Sequence, residues 1–178
     1  METTEKIVEA YVRYVKGWAT IPNIKCPGQF EIDILAIDPV SGERYQIEVS
    51  ISISGSFSKL TNTPFDPVKA KDRVQQPTQR RTLGFFVQKK FGDAGVLATL
   101  VKYGFQPGNY KKVIATYGWT AEAKAAADQQ GVILWDFRDI MHEMAKALIG
   151  EKAYLKDDTM RTLHLFVHAL GNKADADG

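Results

Sequence analysis

Two carboxylates on neighbouring extended runs carry most of the chemistry this chain can offer. The first run is Phe30-Glu31-Ile32-Asp33-Ile34-Leu35-Ala36-Ile37, and the second is Tyr45-Gln46-Ile47-Glu48-Val49-Ser50-Ile51-Ser52-Ile53-Ser54. Strand side chains alternate faces, so Ile47, Val49, Ile51 and Ile53 point one way and Gln46, Glu48, Ser50, Ser52 and Ser54 the other. Asp38-Pro39-Val40-Ser41-Gly42-Glu43 between the runs has the composition of a hairpin loop. Pairing the runs brings Asp33 and Glu48 onto one sheet surface. Acids that face each other across a ladder repel, so the pairing costs stability unless a cation sits between them.

The elements that position these acids can be read along the chain. Glu5 to Lys16 has a helical stripe of Val8, Tyr11, Val12 and Val15, with Glu9 beside it. Trp18 to Gly28 is a connector or a short first strand. Gly55 to Pro67 is a loop rich in Ser, Thr, Asn, Gly and Pro, and Asp66-Pro67 then opens a helix through Gln75 that Pro77 ends. Thr78 to Phe91 is ambiguous, with Leu83, Phe86 and Val87 packing and its Arg and Lys residues exposed. Ala94 to Tyr103 reads as a helix, Lys112 to Tyr117 as a strand, and Ala121 to Gln130 as a helix capped by Thr120. Val132 to Trp135 is an apolar strand of the kind buried on both faces. Two helices follow, one from Asp136 to Gly150 and one with Leu163, Phe166, Val167 and Leu170 inward that ends at Gly171.

Composition sets outer bounds. The 178 residues are 44% apolar and 25% charged, ordinary for a globular domain. The one cysteine, Cys26, leaves no internal disulfide, so a reducing cytoplasm is the expected setting. No secretory leader and no run near the ~20 apolar residues of a membrane span is visible, so no membrane association is expected. Net charge is +2, but Lys69, Lys71, Arg73, Arg80, Arg81, Lys89 and Lys90 face one acid, Asp72, within 69–90. A basic segment on a slightly acidic body can direct a polyanion to one surface, and a solvated helix face has the same composition. His164 and His168 have zinc-gripping spacing without a third ligand, which reads more simply as helix packing.

A helix bearing Glu9, then Phe30-Glu31-Ile32-Asp33-Ile34-Leu35-Ala36, then Ile47-Glu48-Val49, resembles the PD-(D/E)XK nuclease superfamily. The small YraN-like and Mrr-like branches are the nearest in pattern. Ile114-Ala115-Thr116, Thr120 to Ala127 and Gly131 to Asp136 are similar to the closing half of the Mrr-like core. The resemblance spans Glu5 to Leu148 and implies an α/β (α+β) restriction-endonuclease-like αβββαβ core, a mixed central sheet flanked by helices. Residues 1–150 would form that domain, 151–171 an appended C-terminal helix and 172–178 a disordered tail. The appended helix could also mediate a homodimer.

The resemblance also implies a metal-dependent phosphodiesterase acting on DNA, with RNA an open alternative. Asp33 and Glu48 would be the principal Mg²⁺ or Mn²⁺ ligands, joined by the carbonyl of Val49 and by Glu9 from the first helix. One position departs from the pattern. The family places a lysine two residues after the second acid, and here that residue is Ser50, whose neutral hydroxyl cannot offset charge on a phosphate. A cation from elsewhere (Lys59, Lys69 or Lys71), a second metal ion, or an inactive nucleic-acid-binding module are the three resolutions. Lys69, Lys71, Arg73, Arg80 and Arg81 are the phosphate-contact candidates, and Gln75 loosely matches a glutamine near the site in Mrr-like relatives.

Overall fold

The computed structural model describes residues 2–53, 59–66 and 81–174. Lys69, Lys71, Arg73, Gln75 and Arg80, with the helix expected after Asp66-Pro67, lie outside the described residues.

The chain opens on helix α1 (Thr3–Ala10), which continues as a π-helical turn, Tyr11–Val15. Strands β1 (Ala19–Lys25), β2 (Glu31–Ile37) and β3 (Arg44–Ser50) form an antiparallel meander. A helical segment, α2 (Leu83–Phe85), runs into a second π turn, Phe86–Lys90, and is followed by α3 (Ala94–Lys102). Then come β4 (Tyr110–Thr116), α4 (Ala121–Gln129), β5 (Val132–Asp136), α5 (Phe137–Leu148) and α6 (Asp158–Ala174). The five strands lie in sequence order, with β4 parallel to β3 and β5 parallel to β4. This is the expected mixed sheet flanked by helices, an α+β fold with the αβββαβ order.

Strand alternation divides the core. Ile34, Ala36, Ile47, Val113 and Ala115 pack on one face against Val8 and Val12 of the first helix and Ile140, Met144 and Leu148 of α5. On the other face, Leu35 packs with Val96 and Leu100 of α3, while Ile114 packs with Leu83, Phe86, Ala123 and Ala127. The hairpin loop is built as its composition implies: Asp38 N–H donates to Glu43 O at 2.9 Å, Val40 N–H to Asp38 Oδ1 at 2.9 Å, and Gly42 takes φ of +73°.

Several expectations are corrected. β3 stops at Ser50, and Ile53 is 79% exposed. β5 is an outer strand, not one buried on both faces, and Ile133 is exposed. β1, the other outer strand, carries Pro22, whose missing N–H is tolerated at an edge, and Asn23 in the left-handed region at φ +59°. α6 turns Met160 and Leu163 inward while Phe166 and Leu170 are exposed, and it runs on through Gly171 to Ala174. The helix reaches the main core only through Met160 and Leu163, lying against α5 and α1, so its apolar stripe is only partly covered. Among the described residues, no helix is long and apolar enough to cross a membrane.

The short α2 segment depends on a glycine. A Cβ at Gly84 would lie 2.9 Å from the backbone nitrogen of Phe65, which cannot move independently. Gly84→Ala is expected to destabilise the protein by about 1–3 kcal/mol, the usual effect of overpacking, seen as a lowered thermal midpoint.

Candidate functional site

The β2–β3 ladder runs from Ile37↔Arg44 to Ile34↔Ile47 and there ends. The next positions in that register are Asp33 and Glu48, so the acids stand where the two strands part. β3 stays paired to β4 through Ser50↔Thr116, which keeps Glu48 on a rigid strand. On the other side, β1 and β2 pair at Pro22↔Ile34 and Ile24↔Ile32, leaving Asn23 aligned with Asp33 but unpaired to it. Asp33 Oδ2 accepts a hydrogen bond from Val49 N–H at 2.7 Å, a contact that needs the ladder to open.

The space between the acids is filled from the helical side. Lys90 Nζ stands 3.0 Å from Asp33 Oδ1 and 2.6 Å from Glu48 Oε2, and it donates to Glu31 O at 2.9 Å. The π turn that delivers it is anchored by buried Phe86 and closed by Phe91 N–H donating to Phe86 O at 2.8 Å. Such wide turns re-aim the side chains that follow them and recur at functional sites. Thr82 starts the segment, its hydroxyl accepting from Phe85 N–H at 3.2 Å. Gln46 Nε2 donates to Glu48 Oε1 at 3.1 Å and to Lys90 O at 2.9 Å, tying the acid to the backbone of the lysine.

One ammonium between two buried acids leaves a charge imbalance. Burial, and next the neighbouring Asp33 carboxylate, hold the Glu48 carboxyl well above its ordinary range despite the nearby lysine. Burial alone would lower Lys90, but the charges of Glu48 and Asp33 outweigh it and keep the ammonium firmly protonated.

The cluster forms the wall of an open cleft of about 560 Å³, where Glu2, Glu5, Glu31 and Asp33 face Arg81 and Lys90. Val49 and Ser50 also line it, while Glu48 is fully buried behind them. Two carboxylates and the Val49 carbonyl are all oxygens, the donor type a small hard cation takes, and the place between the two acids is held by the Lys90 ammonium, which a metal ion there would have to displace. No group of three or more His, Cys, Asp or Glu side chains suited to metal occurs among the described residues. A Mg²⁺ here would keep several waters, as that ion usually does.

Two expected participants stand elsewhere. Glu9 lies on the opposite face of the sheet, where its Oε1 accepts from the Thr20 hydroxyl at 2.6 Å and pairs with Arg13 at 3.6 Å. One helical turn earlier, Glu5 lines the cleft, and its carboxyl is raised by burial and, more weakly, by the charge of Asp33. Four residues advance a helix by about 6 Å, enough to carry Glu9 past the site. Lys59 is not in the cleft but in a second cavity with Tyr117, Trp119 and Arg138. Arg81 does reach the cleft rim, with Nη2 donating to Ile51 O at 3.3 Å. Lys90, which the basic segment 69–90 contained but which reads there as exposed, is the participant sequence reasoning missed. Its only signal is its place between the packed Phe85-Phe86-Val87 run and Phe91.

No family model matches the chain, and no curated protein matches it. Among solved structures, it is similar to a repair endonuclease from Pyrococcus abyssi at 13% identity and a TM-score of 0.44, over 76% of this chain. The chain spans 47% of that protein's length. It is also similar to a protein of unknown function at 18% identity and a TM-score of 0.47, over 91% of this chain and 78% of the other. Superpositions this loose carry no argument about activity, so the reading of function rests on the site.

Proposed function

We propose that the chain is a metal-dependent nuclease of the PD-(D/E)XK type, hydrolysing phosphodiester bonds in DNA at the Asp33–Glu48–Lys90 cleft. The observation that carries this reading is Lys90, at 3.0 Å and 2.6 Å from the two acids. A cation is needed beside the motif acids, Ser50 cannot supply it, and a different element brings one to the same place. Asp33, Glu48 and the Val49 carbonyl would hold Mg²⁺ or Mn²⁺. The ion supplies polarisation of the phosphate and acidification of a bound water.

The chain's own residues account for the rest. Asp33 is oriented by the Val49 N–H and Glu48 by Gln46, so neither acid has to be organised at the moment of reaction. Lys90 would offer an ammonium beside the acids that offsets charge growing on the phosphate. Arg81 on the rim is placed for a neighbouring phosphate. The acids Glu2, Glu5 and Glu31 line the same cleft, so a polyanion is repelled until cations offset them, which supports a strict metal requirement.

Purified protein incubated with plasmid and single-stranded DNA is expected to cleave with Mg²⁺ or Mn²⁺ and not with chelator. Asp33→Asn and Glu48→Gln should each abolish it. Cleavage that persists in both variants would reject the assignment.

A second reading, an inactive nucleic-acid-binding module, draws on the full burial of Glu48 and its ion pair with Lys90, which could serve stability alone. It predicts salt-sensitive DNA binding without turnover in any metal.

A further inference from the structure

Ser50, Thr116 and Asp136 are aligned across β3, β4 and β5, so the carboxyl ends of three parallel strands share one border of the sheet. The Asp33–Lys90 cleft opens at the β3 end of that border. At the β5 end is a separate cavity of about 330 Å³ lined by Lys59, Tyr117, Gly118, Trp119, Asp136 and Arg138. Two interstrand spacings, about 10 Å, separate Ser50 from Asp136.

The second cavity combines two cations with two aromatic rings over a glycine floor. A Cβ at Gly118 would meet Lys59 Cγ at 3.8 Å and Arg138 Nη2 at 4.0 Å, so both side chains converge above that residue. The Arg138 guanidinium lies over the Tyr117 ring, 5.5 Å from its centroid. Arg138 Nε also donates to Asp136 Oδ1 at 3.0 Å, so among the described residues the Lys59 ammonium is the cavity's charge without an acid beside it. Trp119 is half-buried, its body packed beside the Leu60 and Leu83 cluster. With Arg138 over the Tyr117 ring, the pocket leaves Lys59 and the Trp119 indole as a cation and a flat ring in one cavity, a combination that suits a phosphate joined to a base.

Backbone pairing joins the two cavities. Leu60 N–H donates to Gly118 O at 2.8 Å, Thr120 N–H to Leu60 O at 3.0 Å, and Thr61 N–H to Arg81 O at 3.1 Å. Residues 59–61 therefore lie between the loop that floors the second cavity and the arginine that rims the first. Lys90, Arg81, Lys59 and Arg138 follow one another along this border.

We propose that the Lys59–Arg138 cavity is a nucleotide subsite for single-stranded nucleic acid, holding a phosphate and stacking its base on Trp119 while the strand continues to the Asp33–Lys90 cleft. This rests on the nuclease reading for the direction of the strand, and not for the existence of the pocket. With at least the ~10 Å from Ser50 to Asp136 between them, the two sites would be bridged by a strand of several nucleotides. A dinucleotide should fail to engage both ends.

The test is binding of labelled dT10, dT6, dT2 and thymidine monophosphate to the full chain in chelator, by polarisation and by tryptophan quenching. Wild type should bind dT10 and dT6 with quenching that Trp119→Phe removes, and dT2 and the mononucleotide should bind far more weakly. Lys59→Gln with Arg138→Gln should weaken dT10 binding about tenfold and reduce the salt slope by roughly 0.7 for each phosphate no longer neutralised. Gly118→Val fills the floor without removing a charge and should weaken dT10 with circular dichroism unchanged. Equal dT10 affinity and salt slope in all three variants overturns the subsite, as does a mononucleotide that binds as tightly as dT10. Cleavage with Mn²⁺ is scored separately. Pocket-dependent binding without cleavage keeps the subsite and removes the nuclease, whereas cleavage with pocket-independent binding does the reverse.

Discussion

If the cleft works as the proposed nuclease site, Lys90→Met is expected to lower metal-dependent DNA cleavage by about 10²–10³-fold, the scale seen when one preorganised donor to a developing anion is deleted. Methionine keeps the length and apolar stem of the side chain and removes only the ammonium, so the π turn Phe86–Lys90 stays packed through Phe86 and Phe91. Ser50 lines the same cleft from β3. Adding Ser50→Lys to Lys90→Met returns a cation to the place where the family pattern carries one, and should recover at least about tenfold of the lost rate. Initial rates of plasmid nicking at saturating Mn²⁺ measure both effects. Full activity in Lys90→Met would assign the lysine to stability alone and leave the inactive-module reading stronger.

The same substitution should change stability in a pH-dependent way. Removing the countercharge of a buried pair destabilises by about 3–5 kcal/mol, because the remaining acid is left uncompensated. Glu48 escapes part of that penalty by holding its proton. Its folded-state carboxyl is raised, first by burial and then by Asp33, above the unfolded value near 4.3. A raised acid binds more protons folded than unfolded. Its contribution is therefore fully present below the unfolded pKa and is lost as pH rises through the folded one. Lys90→Met should accordingly be least impaired in mild acid and progressively worse toward neutrality and above. Glu48→Gln should gain on wild type over the same interval, by at most tenfold in the folding equilibrium per pH unit, the limit for one proton. Thermal midpoints across pH for the three proteins decide it, and a penalty in Lys90→Met that does not vary with pH rules the mechanism out.

Period-two alternation made the acid-bearing strands readable, since Ile47 and Glu48 must face opposite ways in any strand that buries one side. The hairpin loop was equally legible from Asp38, Ser41 and Gly42, whose side-chain and backbone preferences are local. What periodicity cannot carry is the third dimension of the site. Lys90 is separated from Glu48 by more than forty residues, and its direction is set by a π turn that no spacing rule anticipates. Glu9 drew attention because it flanks the apolar stripe, yet Glu5 shares its helix face and stands a turn nearer the open end of the sheet. On α6, apolar residues suggested an inward face, but Phe166 and Leu170 meet no covering layer among the described residues. The position of a helix against its neighbours, and not its own pattern, decides which of its residues are covered.

The outer strand β1 has a bearing on how copies of this protein behave at high concentration. A bare strand border invites another molecule to add its own strand and so to polymerise. Here the border is interrupted at its middle: Pro22 has no N–H to offer, and the backward-turned Asn23 breaks the straight line an incoming segment would need. Replacing both with residues that favour extended backbone would repair the template, and the first sign should be fibrils or turbid solutions from an otherwise intact fold.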